Sequence, residues 1–127
     1  MQQIEIKQEK IITREYLRAY PNQIFVFGDN NARVGKGGAA QLRDEPNTYG
    51  FITKNLAYLS YTITEYKEVY PKEIQKLRET IMANPDKLYM ISKVGAALAN
   101  EFGIFEEIIE PNIKKDLNDL RNVAFLW

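Results

Sequence analysis

Residues Gln23–Lys54 read QIFVFGDNNARVGKGGAAQLRDEPNTYGFITK, and this stretch decides the fold. It opens with Gln23–Phe27 (QIFVF), a near-continuous apolar run rich in β-branched and aromatic side chains, the pattern of a strand covered on both faces. Four of the chain's seven glycines follow at once, at positions 28, 35, 37 and 38. Glycine weakens strands and helices alike, so such a cluster marks a backbone that bends sharply or lies against another surface. A loop over Gly28–Lys36 and a helix over Gly37–Arg43 are expected next. A strand, a glycine-rich turn and a helix start together aim free N–H groups at one spot, and that geometry binds anions, phosphates above all.

The flanking sequence fills out an alternating pattern. Gln2–Lys7 alternates polar and apolar residues and reads as an edge strand. Thr13 caps a short helix over Arg14–Ala19, stopped by Pro21. Asp44-Glu45-Pro46-Asn47 is turn chemistry, a turn and cap more than a catalytic pair. Tyr49–Thr53 and Tyr58–Ile63 read as short strands or extended connections. Pro71 suits the first position of a helix running to Ala83, with Thr64–Tyr70 either helical ahead of it or not. Lys87–Ser92 (KLYMIS) is a second buried strand, and Gly95–Ala99 (GAALA) a small-residue stretch after it. Ile104–Leu120 is helical, with Pro111 a restart or a kink, and Asn122–Trp127 closes the chain as a strand. No repeat, low-complexity segment or linker is visible. The expectation is one α/β domain over residues 1–127, three-layered, with a mostly parallel or mixed sheet and helices on both faces.

Composition narrows the chemistry. With 127 residues and 45% apolar content the chain has material for a real core. Seventeen basic and seventeen acidic residues cancel, which argues against a duplex nucleic-acid binder that grips phosphates with a basic excess. No apolar run reaches membrane-spanning length and the N-terminus carries no apolar signal core, so a cytoplasmic protein is expected. There is no His, no Cys, and only Ser60 and Ser92 among serines. Histidine bases, Cys–His and Ser–His nucleophiles and the usual zinc ligands are therefore excluded, and neither a metal nor a cofactor is expected.

In an open parallel sheet, ligands sit beyond the carboxyl ends of strands, where loops from neighbouring strands form a crevice. QIFVF runs into GDNNARVGKGG and KLYMIS into KVGAALA, so adjacency of the two strands would place both loops on one cleft. Gly28, Gly35, Lys36, Gly37, Gly38 and Ala39 would supply one wall, and Val94, Gly95, Ala96 and Ala97 the other. Asp29, Asn30 and Asn31 leave the strand end where side chains meet a ligand; Asp and Asn also favour turns for their own sake. Arg33, Lys36, Lys54 and Lys93 either neutralise phosphates or are solvated charges. Tyr49 and Phe51 either stack on a base or pack, and Tyr58, Tyr61, Tyr66 and Tyr70 read as a packing stripe. The glycine spacing matches neither a Walker loop nor a dinucleotide fingerprint.

Phe27-Gly28-Asp29-Asn30, Gly35-Lys36-Gly37-Gly38, Arg43-Asp44-Glu45-Pro46-Asn47, Gly50 and Thr53-Lys54 resemble a small, poorly characterised family of phage and bacterial proteins with the pattern FGDN, GKGG-Q-A, RDEPN, G-I-P-T-K and a later G-T-G-L-A. The chain departs at Ala39, where that family often has Gln, at Ile52 in place of Pro, and at Ala97 in place of the second Gly of the later motif. More distantly it is similar to the macrodomain. That resemblance implies binding of ADP-ribose or a related nucleotide, with Asn30 or Asn31 near the distal ribose and with Lys36–Ala39 and Val94–Ala97 holding the diphosphate. Two alternatives stand beside it. One is hydrolysis of an ADP-ribosyl or phosphoester bond, with water positioned by Asn30, Asn31 or Asp29. The other is a phage-type protein that engages a host protein or sequesters a host signal nucleotide. Oligomeric state is left open.

Overall fold

The computed structural model describes residues 11–35 and 38–127. The strand expected over Gln2–Lys7, and Lys36 and Gly37 of the glycine loop, lie outside the described residues. In chain order the elements are α1 (Arg14–Ala19), β1 (Gln23–Asn30), a 3₁₀ turn (Gly38–Leu42), β2 (Thr48–Leu56), β3 (Leu59–Ser60), α2 (Ile63–Ala83), β4 (Leu88–Ile91), a π turn (Phe105–Ile109), α3 (Glu110–Asp116) and β5 (Val123–Phe125). The strands form one mixed sheet in the order β3-β2-β1-β4-β5. β1 pairs in parallel with both β2 and β4, β4 pairs in parallel with β5, and β3 folds back antiparallel on β2.

The alternation of β1 side chains sets the layers. Phe25 and Phe27 pack with Leu17 of α1, Leu42 of the 3₁₀ turn, Met90 and Leu126. Ile24 and Val26 belong to the larger cluster, which takes in Ile74, Leu77 and Ile81 of α2, Ile109 of the π turn and Ile113 of α3. Helical segments thus cover both faces of the sheet. QIFVF reads as continuous apolar because both of its faces are covered.

Several boundaries differ from the sequence expectation, each for a physical reason. α2 begins at Ile63, eight residues ahead of Pro71. Its N-cap is Thr62, whose hydroxyl accepts from the Glu65 N–H while the Glu65 carboxylate accepts from the Thr62 N–H. This capping box is legible in the sequence as Thr-Ile-Thr-Glu and outranks the proline as a start signal. Pro71 is tolerated on an exposed position inside the helix, and the extension of helix over Thr64–Tyr70 is real. The same cap cuts the strand expected over Tyr58–Ile63 down to Leu59–Ser60. The helix expected over Gly37–Arg43 is a 3₁₀ turn entered through Gly38 at φ 56°. Pro111 lies in the first turn of α3 and has no N–H to donate backwards. Ahead of it the helix widens into a π turn, in which the Glu110 N–H reaches Phe105 O, five residues back. Tyr61, Tyr66 and Tyr70 are buried as a packing stripe, but Tyr58 is 99% exposed at the β2–β3 hairpin tip.

One local repeat escapes the sequence reading. The junctions α1→β1 (Ala19-Tyr20-Pro21-Asn22-Gln23) and α2→β4 (Ala83-Asn84-Pro85-Asp86-Lys87) have the same conformation. Their C-caps stand at φ −127°, ψ 71° for Tyr20 and φ −131°, ψ 64° for Asn84. In each, an asparagine that leads into a neighbouring strand donates its side-chain amide to three carbonyls. Asn47 reaches Leu17 O, Tyr20 O and Gln23 O at 2.9–3.2 Å. Asn122 reaches Ile81 O, Asn84 O and Lys87 O at 2.9–3.3 Å. Leu17 O, Tyr20 O, Ile81 O and Asn84 O lie at the two helix ends, and Gln23 O and Lys87 O lie where the chain enters β1 and approaches β4.

Candidate functional site

β1 turns off through the 3₁₀ turn to β2 on one side, whereas β4 turns off through the π turn and α3 to β5 on the other. The two adjacent strands therefore diverge at their carboxyl ends, the switch point at which open α/β sheets hold ligands. A cavity of 390 Å³ opens there. Gly28, Asp29 and Asn30 from β1, Val34 and Gly35 from its loop, and Gly38, Ala39 and Ala40 from the 3₁₀ turn form one side. Ser92, Lys93, Val94, Gly95, Ala97, Leu98 and Ala99 form the other. Thr53 and Lys54 at the end of β2, with Ala57, complete it.

The β1 side is held by a buried carboxylate. Asp29 Oδ1 accepts from the Asn30 N–H at 2.8 Å and from Arg43 Nη2 at 2.5 Å, and Oδ2 accepts from Arg33 Nη1 at 3.1 Å and Arg43 Nε at 3.2 Å. Its side chain is 1% exposed. Burial alone would push this carboxyl up; the hydrogen bonds from Arg43, the Asn30 N–H and Arg33 outweigh it and hold the group below its ordinary 3.8. Arg43 also donates to Gly35 O at 2.8 Å and Val34 O at 3.3 Å, and so fastens the glycine loop to the strand it leaves. Arg33 sits at φ 57° and donates to Gly50 O at 2.9 Å. Gly50 has no room for a side chain, since a β-carbon there would stand 2.5 Å from both Arg33 Nη1 and Asp29 Oδ2. Asn30 folds the turn itself: its Oδ1 accepts from the Ala32 N–H at 3.0 Å and its Nδ2 donates to Val34 O at 2.8 Å.

The remainder of the RDEPN segment is scaffold of the same kind. Buried Glu45 accepts from Arg18 Nη2 at 3.1 Å and from Arg14 Nη1 at 2.5 Å, tying the turn to α1. Hydrogen bonds from Arg18 and Arg14 hold its carboxyl below the usual glutamate range.

The floor comes from an irregularity in β2. Asp29 pairs with Ile52 but Asn30 pairs with Lys54, so Thr53 is an extra residue. Such a bulge re-aims a side chain, and Thr53 is buried against the cavity. β3 pairs with β2 only through Lys54 and Leu56. Further back, the Ile52 N–H is taken by buried Glu73 Oε1 at 2.9 Å and Ile52 O by the Tyr66 hydroxyl at 2.6 Å, both from α2. The opposite wall depends on Gly95 at φ 83°, where a β-carbon would stand 2.5 Å from Ile109 Cδ1 of the π turn.

Of the residues expected at the site, Gly28, Asn30, Gly35, Gly38, Ala39, Val94, Gly95 and Ala97 are brought together on one cavity. Ala96 does not line it and packs against the main core instead. Two expectations need correction. Asn31 does not line the cavity: its side-chain amide donates to the Tyr61 hydroxyl and to Asn55 Oδ1, on the β2–β3 side. Asp29 lines the cavity, yet four donors occupy the four lone-pair sites of its carboxylate, which leaves none to take a proton from water. Among the charges, Arg33 is spent on Asp29, whereas Lys54 and Lys93 reach the cavity. Phe51 is core and Tyr49 is half-buried against the same cluster. Sequence reasoning missed Thr53, Ser92, Val34 and Leu98 as lining residues; only the bulge, invisible in composition, singles out Thr53.

Among the described residues no group of three or more His, Cys, Asp or Glu side chains is placed to hold a metal ion, and no helix is long and apolar enough to cross a membrane. No curated protein and no solved structure matches the chain. Residues 7–99 match the model of a family of unknown function, DUF7831, which spans the α1 frame, the glycine loop, the β2 bulge and most of the β4 loop, and the chain belongs to that family.

Proposed function

We propose that the cavity binds ADP-ribose or a related nucleotide. The observation that carries this reading is the convergence of two glycine-containing loops, distant in sequence, on one cavity at the sheet's switch point. The loop through Gly35, Gly38 and Ala39 offers main-chain N–H groups to phosphate, with Lys36 in the same loop by sequence. The first N–H groups of a 3₁₀ turn have no partner within it, and they are the donors an anion needs. Gly95 and Ala97 form a close main-chain wall opposite, and Lys54 and Lys93 supply positive charge. Small side chains on both loops leave their main-chain groups open to the ligand. On this reading a diphosphate is clasped between the two loops, as the resemblance to the macrodomain implies.

The site is read as one for binding without turnover. The hydrolytic alternative relied on Asn30, Asn31 or Asp29; Asp29 is fully hydrogen-bonded, Asn30 is engaged at both ends of its amide by its own loop, and Asn31 faces Tyr61. Calorimetric titration and thermal shift with ADP-ribose, NAD and cyclic nucleotides test the proposal. Saturable heat with a raised melting temperature for at least one of them is expected; no response to any would overturn it.

A further inference from the structure

We propose that the cavity grips the base of its nucleotide chiefly by apolar contact, and so discriminates only weakly among bases; this rests on the nucleotide reading above. Val34 from the β1 loop and Leu98 from the β4 loop both line the cavity, and they are 50% and 78% exposed. A single exposed aliphatic side chain is ordinary, but two from facing loops at one mouth form an apolar clamp open to a flat ring.

Among the described residues, each polar side chain lining the cavity other than Lys93 already has a hydrogen-bond partner within the protein. Asn30 is used at both ends of its amide by Val34 O and the Ala32 N–H. Thr53 Oγ1 donates to Asp29 O at 3.4 Å, Ser92 Oγ to Val26 O at 2.6 Å, and Lys54 Nζ to Ala57 O at 2.9 Å. Asp29 has its four donors. Lys93, with Nζ 5.4 Å from the centre of the Phe105 ring, adds charge as a flexible point cation. A site that hydrogen-bonds a ligand's edge rejects analogues strongly, while an apolar pocket tells similar shapes apart only weakly. The described side chains here, with Val34 and Leu98 at the mouth, come closer to the second kind. Specificity therefore lies in the phosphate and sugar.

The test is calorimetric titration of the full chain with ADP, GDP, CDP, UDP, ADP-ribose and inorganic pyrophosphate, repeated on Leu98→Ser, Val34→Ser and Lys93→Ala. The four diphosphates should bind within about tenfold of one another, purines the tighter for their larger buried area. Leu98→Ser and Val34→Ser should each weaken all four by about tenfold and leave pyrophosphate unchanged, since a buried Leu or Val contributes about that much. Lys93→Ala should weaken pyrophosphate and nucleotides together. A preference for one base beyond about tenfold overturns the inference, as does an unchanged nucleotide affinity in both serine variants. ADP-ribose binding with none of the four diphosphates overturns this inference alone; binding of nothing overturns the nucleotide reading as well.

Discussion

The main-chain nitrogen of Gly95 lies 3.5 Å from the point where a β-carbon on Gly28 would stand, so the loop that follows β4 packs close against the backbone near the end of β1. The two glycines are not equivalent. Gly95 has a left-handed φ of 83° and Ile109 Cδ1 in the way; Gly28 is crowded only by Thr53 Oγ1 at 3.1 Å. Gly95→Ala should cost about 2 kcal/mol from backbone strain and crowding together, and Gly28→Ala under ~1 kcal/mol. Urea denaturation with matched m-values checks this, and equal midpoints for the two variants would contradict it.

The Asp29 clamp should be the most sensitive ion cluster in the chain. Arg43→Ala removes two of the four donors on a buried carboxylate and should lose about 3 kcal/mol. Arg33→Ala removes one donor from a more exposed partner and should lose about 1 kcal/mol. Chemical denaturation ranks the two, and proteolysis within residues 30–38 should rise in Arg43→Ala before the rest of the domain opens.

Asn47→Ala and Asn122→Ala should have matched effects. Each removes the side-chain donor shared by three carbonyls of a helix-to-strand junction and should cost about 2 kcal/mol. Thermal melts of the two variants side by side would reveal whether the junctions are energetically as alike as their dihedral angles.

Acid should destabilise the protein through Asp29 and Glu45. Both carboxyls are held below their ordinary values in the fold. Their contribution is complete above the unfolded-state values, near pH 4, and is lost as pH falls through the lower folded values. With no histidine in the chain, melting temperature should stay level from about pH 5 to 8 and drop below about pH 4. Asp29→Asn should melt lower at neutral pH and show a shallower acid decline; an unchanged slope would exclude Asp29 as a source.

Much of the frame was legible in the chain. QIFVF and KLYMIS announced themselves as covered strands because every residue in a doubly packed strand is apolar, and the glycines after them fixed where the loops begin. The meeting of the two loops followed from the switch-point rule applied to that order. Other features were masked by competing signals. Pro71 drew attention from the Thr62–Glu65 capping box, though the box carries two hydrogen bonds and the proline only lacks one. The polar trio Asp29-Asn30-Asn31 looked like a ligand set because turn-forming and ligand-binding residues are the same types. Only partner geometry separates them: Asp29 to the arginines, Asn30 to its own loop, Asn31 to Tyr61. The Thr53 bulge has no compositional mark at all. Val34 and Leu98 were passed over since an isolated aliphatic residue in a loop carries no message until its neighbours in space are known.

The opposite departures of β1 and β4 have an evolutionary and practical corollary. Each rim of the opening belongs to a separate crossover, on a separate face, with its own anchors: the arginine clamp for one, the Gly95–Ile109 contact for the other. Residues added to or cut from either rim would reshape that lip without shifting its counterpart, so grafting a longer 33–38 or 96–102 segment offers a way to retune what the opening accepts on an unaltered platform.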